Sequence, residues 1–212
     1  MAVLGFLAPL AILGLIAWAI VGATRRGGEP FTLATATALY ARVMQIAGFL
    51  MSLIGVGIIL KAVFGFMNPA YSYYPTYNGY GPLPVPLSNF DVQQRSQDLV
   101  LGITLLVIGA LVAGGHLLLG RALAHMPGGS PGWIVRGTLL GLTVMTAVVG
   151  IPSAAIGLYQ VLSYFIVGAP SQNPQPWGET LGLAIAFVPA WIYLMTRLVH
   201  DLRLPRMGPT AA

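Results

Sequence analysis

Five apolar runs, at Val3 to Val21, Val43 to Phe66, Leu99 to Gly120, Ile134 to Val167 and Leu181 to Val199, limit what this chain can become. Roughly 20 helical residues, rising about 1.5 Å each, cross a hydrocarbon layer of about 30 Å. Each run is of that order, and none alternates like the strand of an outer-membrane barrel. Inside lipid the backbone must satisfy its own hydrogen bonds, so each run is expected to be a helix. The expected fold class is all-α: a polytopic integral membrane protein with five transmembrane helices. Composition agrees, with 57% of residues hydrophobic and 7% charged. A soluble domain carries about 25% charged residues.

The net charge of +5 does not point to nucleic acid, because the basic residues are scattered over the ends of the runs without interleaved aromatics. Their placement reports topology instead. Arg25, Arg26, Arg42, Arg121, Arg136, Arg197, Arg203 and Arg206 fall on one side of a five-span chain, leaving Lys61 and Arg95 towards the other. The positive-inside rule then puts the N-terminus outside and the C-terminus in the cytoplasm of a bacterial inner membrane. The first run has no basic residues before it and two arginines after it, so it reads as a retained anchor. There is no cysteine, which excludes disulfides, thiolate metal sites and cysteine nucleophiles.

The expected organisation is an N-terminal anchor and linker over 1–39, a helical hairpin over 40–125, a second hairpin over 126–204 and a tail over 205–212. An external loop over 67–97 holds Tyr71, Tyr73, Tyr74, Tyr77 and Tyr80 among five prolines. A shorter loop over 168–180 carries Trp177. Tyrosine and tryptophan suit the membrane interface, where an apolar ring and a polar tip both find partners. These six aromatics are therefore expected to contact partners. SLIGVGI at 52–58 aligns loosely with AVVGIPS at 147–153, and Leu101-Gly102 with Leu181-Gly182. A parallel tandem repeat is one explanation, and shared apolar composition is the other.

The paired helices, with Arg42 or Arg136 near the start and VPAWIYLMTRLVHDLR closing the pair, resemble a bacterial membrane-domain family of unknown function. The resemblance covers residues 40–204 and implies no activity.

Small residues form faces on three runs: Gly48, Ser52, Gly55 and Ala62; Gly102, Gly109, Ala113, His116 and Gly120; and Thr143, Ala147, Gly150, Ala154 and Gly157. Such faces let helix backbones approach closely, replacing a hydrophobic drive that lipid does not supply. His116 lies on one of them. Counting from the helix ends puts Gln45, Thr138 and Thr196 at its depth, which predicts a structural polar layer one turn below the cytoplasmic interface. The alternative is a b-type haem or quinone site, with His116 and His200 as the intramembrane pair. Lys61 is expected to snorkel outward and pair with Asp98 or Glu179. Pro152 and Pro189 interrupt the last two runs and are expected to kink them.

The spans hold no paired carboxylates, no nucleophile with a base and no glycine loop before a basic clamp, so no enzyme activity or metal site is expected. The leading expectation is a non-catalytic accessory or structural subunit of a larger membrane complex, an energy-converting one among the candidates, in contact with lipid and other membrane subunits, with pigments as a further candidate partner. A haem- or quinone-binding electron carrier and a small transporter are the alternatives.

Overall fold

A computed structural model describes residues 33–67, 89–125, 132–167 and 177–203. Within them the chain is all-helical: α1 (Leu33–Met67), α2 (Asn89–Ala124), α3 (Gly132–Val167) and α4 (Trp177–Arg203). All four are long and apolar enough to cross a membrane. The run Val3 to Val21, the tyrosines from Tyr71 to Tyr80 and the tail over 205–212 lie outside the described residues.

The helices extend beyond the apolar runs. Residues 89–97, expected as the end of the external loop, form the first turns of α2, and Trp177 opens α4. A helix of 36 residues rises about 54 Å and must project past a hydrocarbon layer of about 30 Å. Polar residues such as Gln93, Gln94 and Gln97 belong on that projecting part. At its other end α2 closes in a turn, with the His125 amide donating to the Ala122 carbonyl at 3.3 Å. The residues that follow, Met126-Pro127-Gly128-Gly129, are unsuited to continuing a helix.

Glycine determines how the helices pack. A Cβ built on Gly48 would lie 2.5 Å from the Ala113 nitrogen, and one on Gly55 would lie 2.6 Å from the Leu106 nitrogen. Seen from α2, a Cβ on Gly109 would lie 2.6 Å from the Gly48 carbonyl oxygen, and one on Gly102 would lie 2.9 Å from that of Gly55. The backbones of α1 and α2 thus run antiparallel in direct contact. Ser52 fits between them, its hydroxyl donating to the Gly48 carbonyl at 3.0 Å and reaching the Leu106 carbonyl at 3.5 Å.

Gly57, two residues beyond Gly55 and therefore about 200° around the helix, serves the opposite flank of α1. Its Cβ would meet the Leu183 side chain at 2.8 Å, and a Cβ on Gly182 would meet the Gly57 carbonyl at 2.6 Å. The α1 helix is consequently held between α2 and α4. The α3 helix packs on α4, with Gly150 facing Phe187 and Gly157 facing Leu181, and touches α1 more lightly. Ile46, Leu142 and Leu194 close the junction of α1, α3 and α4.

The glycines aligned between the two hairpins do not make the same contacts. Gly55 faces Gly102 within its hairpin, whereas Gly150 faces Phe187 and Gly182 turns to α1. The two hairpins therefore pack in different registers. Pro152 and Pro189 lie inside α3 and α4, which continue through them.

These contacts separate glycines that matter from those that do not. Gly109→Leu is expected to destabilise the protein in detergent by about 1–3 kcal/mol or more, the cost of overpacking. Gly115→Ala, at a position with nothing within 4 Å, is expected to be neutral or stabilising by up to about 1 kcal/mol. Thermal unfolding of the purified variants measures both.

Candidate functional site

The antiparallel packing gathers the charged side chains into two levels. Arg42, Arg121, Arg136 and Arg197 stand at one end of the bundle; Lys61, Arg95, Asp98 and Glu179 stand at the other. On α1, Arg42 and Lys61 are separated by about 28 Å of helix rise, close to the hydrocarbon thickness of about 30 Å. Between them α1 carries no charge. On α4, Glu179 and Arg197 are separated by about 27 Å. The charges mark the two edges of one apolar slab.

At the Lys61 end, Lys61 Nζ lies 2.9 Å from Asp98 Oδ2, joining α1 to α2. Both side chains are largely covered, at 14% and 20% exposure. Close approach at Gly182 brings α4 beside the backbone here, since a Cβ there would lie 3.2 Å from the Lys61 backbone nitrogen. Glu179, one turn earlier on α4, makes no ion pair with a described residue. Arg95, one turn before Asp98, is 2% exposed. Its burial was not anticipated from the sequence, although its spacing of three from Asp98 was the available signal. Thr180 donates to Gln160 Oε1 at 2.6 Å and ties α4 to α3. The Trp177 ring rests on Phe64 at 5.4 Å, and its Nε1 is buried with no hydrogen-bond partner among the described residues.

At the Arg42 end, the four residues expected at one depth are not linked to each other. The His116 ring hydrogen-bonds through Nδ1 to the Val112 carbonyl at 2.8 Å. Thr138 donates to Ile134 and Thr196 to Tyr193, each within its own helix. Gln45 accepts from Arg42 Nη1 at 2.9 Å, also within one helix. The cross-helix neighbour of His116 is Tyr40, edge-on at 5.4 Å.

A carbonyl only accepts, so the bond to Val112 puts the His116 proton on Nδ1 and leaves Nε2 as the other ring position. His116 belongs to α2, which packs extensively on α1 only, whereas His200 is exposed at the far end of α4 beside Asp201. The structure does not bring the two histidines together. Among the described residues no group of three or more His, Asp or Glu side chains converges as a metal site would require.

Comparison with protein families, curated proteins and solved structures finds no match to this chain.

The Lys61–Asp98 pair provides a direct test of this geometry. Lys61→Met leaves a carboxylate in poorly solvated surroundings, and the expected cost is about 1–3 kcal/mol, below that of a fully buried pair. Adding Asp98→Leu is expected to recover part of the loss. Thermal unfolding of the single and double variants in detergent checks this coupling.

Proposed function

We propose that the chain is a non-catalytic accessory subunit that packs through α2 against other subunits of a larger assembly in a bacterial inner membrane. The observation that carries this reading is the outer side of α2. Val100, Val107, Leu111 and Leu118 form an exposed stripe there, and Gly114 and Gly115 open a notch with nothing within 4 Å. Glycine inside a helix costs about 1 kcal/mol relative to alanine. At Gly48, Gly55 and Gly109 that cost accompanies close helix contact, and a partner helix at the notch would give Gly114 and Gly115 the same use. The resemblance to a membrane-domain family without assigned activity fits a subunit of this kind.

In this reading the run Val3 to Val21 supplies a fifth span. The end carrying Arg42, Arg121, Arg136 and Arg197 faces the cytoplasm, in keeping with the positive-inside rule. The aromatic loop then lies outside, available to subunits or pigments.

A haem- or quinone-binding role draws support from one observation, the Nδ1 bond of His116, which leaves Nε2 as the ligating or accepting nitrogen. It lacks the paired histidine, since His200 stands apart on α4.

Purification from the native membrane in mild detergent is expected to yield co-migrating subunits. Gly114→Leu combined with Gly115→Leu is expected to release them while leaving the melting temperature of the isolated chain nearly unchanged. A wild-type chain that purifies alone contradicts the subunit reading. A reduced-minus-oxidised spectrum of the same material with haem bands that vanish in His116→Leu would favour the electron-transfer role instead.

A further inference from the structure

The Arg42 guanidinium has a defined seat in the groove between α1 and α2. It is partly buried, and Nη1 is held at 2.9 Å by Gln45 Oε1, one turn along its own helix. Across the groove it lies over Gly120, where a Cβ would stand 3.5 Å from the guanidinium carbon. A Cβ at 120 would itself be in ordinary contact with the guanidinium, and the branches of a longer side chain would press into that seat. Tyr40 and His116, edge to face at 5.4 Å, make a separate contact between the same two helices.

What the seat lacks is negative charge. Among the described residues Arg42 makes no ion pair. Gln45 is neutral and accepts one hydrogen bond, whereas a guanidinium offers five N–H donors. A partly covered cation with four donors left over is suited to an oxyanion, and the planar donor fork matches phosphate oxygens.

The level of the seat indicates where that anion comes from. Arg42 lies about 28 Å along α1 from Lys61, so the two residues bracket one hydrocarbon thickness of about 30 Å. Arg42 therefore stands at the height of lipid phosphates. Tyr40, exposed two residues earlier on α1 and so at nearly the same height, is an interfacial residue by type. Basic pockets between helices at this level are suited to anionic headgroups.

We infer that the groove formed by Arg42, Gln45 and Gly120 binds a phosphate group, supplied by the headgroup of an anionic phospholipid. Gln45 fixes the orientation of the guanidinium. The bare backbone at Gly120 provides its seat.

The test uses the full chain in detergent, given equal amounts of phosphatidylglycerol and phosphatidylcholine and read by native mass spectrometry. The wild type is expected to retain one phosphatidylglycerol in preference to phosphatidylcholine. Arg42→Gln is expected to weaken that retention at least tenfold, while Arg197→Gln, an arginine outside the groove, changes it less than twofold. Equal retention of the two lipids by the wild type, or undiminished retention by Arg42→Gln, overturns the inference. If Arg42→Gln does not fold, Gly120→Val replaces it, since its methyl groups displace the guanidinium without removing the charge. Its retention is expected to fall, and unchanged retention overturns the inference. A further arm adds millimolar inorganic phosphate. Persistence of the bound lipid supports a headgroup site, and displacement by phosphate overturns the lipid assignment.

Discussion

Direct backbone contact along α1 is the constraint on which the rest of the structure depends. In lipid, burying apolar side chains gives helices little reason to associate, because the tails are as apolar as leucine. Association then rests on dispersion between closely packed atoms, and on weak Cα–H···O contacts where backbones meet. Gly48 and Gly55 supply this closeness towards α2, and Gly57 towards α4. Because the two sets lie on opposite flanks, α1 becomes the centre of a row with α2 outermost on one side and the α3–α4 pair on the other. The ion pair at Lys61–Asp98 and the guanidinium seat at Gly120 both follow from this register.

The row leaves its polar chemistry at two edges. At one, a lysine and a carboxylate on neighbouring helices neutralise each other, with the buried Arg95 one turn away. At the other, Arg42 is oriented by an amide and backed by glycine, with no carboxylate beside it among the described residues. The interior between them is occupied by glycine, aliphatic side chains, Phe187, Ser52 and threonines that bond to their own helices. Thr143 and Thr146, both buried, donate to Leu139 and Leu142 one turn back. Such an interior suits packing among the helices.

Part of the helix packing was legible in the sequence, since spacings of three, four and seven placed Gly48, Gly55, Gly102 and Gly109 on small-residue stripes of their own helices. The sequence left Lys61 two possible partners, Asp98 and Glu179, and the ion pair is with Asp98. Depth counting set Gln45, His116, Thr138 and Thr196 at one level, but level alone does not join side chains. A histidine or threonine in a helix reaches the carbonyl one turn back without crossing to a neighbour, and His116, Thr138 and Thr196 do this or its shorter equivalent. The polar start of α2 read as loop because loops and projecting helix turns share a composition. Which glycine faces which helix was hidden, because Gly55 and Gly57 are equivalent as letters and differ only in the neighbour that each meets.

The account rests most directly on the antiparallel register of α1 and α2, and a chain without cysteine allows it to be measured in the membrane. Ser52→Cys with Gly109→Cys places two thiols where a Cβ on 109 would lie 2.6 Å from the Ser52 oxygen. Ser52→Cys with Gly114→Cys places the second thiol on a position that touches nothing within 4 Å. Mild oxidation in native membranes is expected to cross-link the first pair within the chain and leave the second pair free. Equal cross-linking of both pairs, or none in the first while the doubly substituted chain remains folded, would contradict the glycine-mediated register.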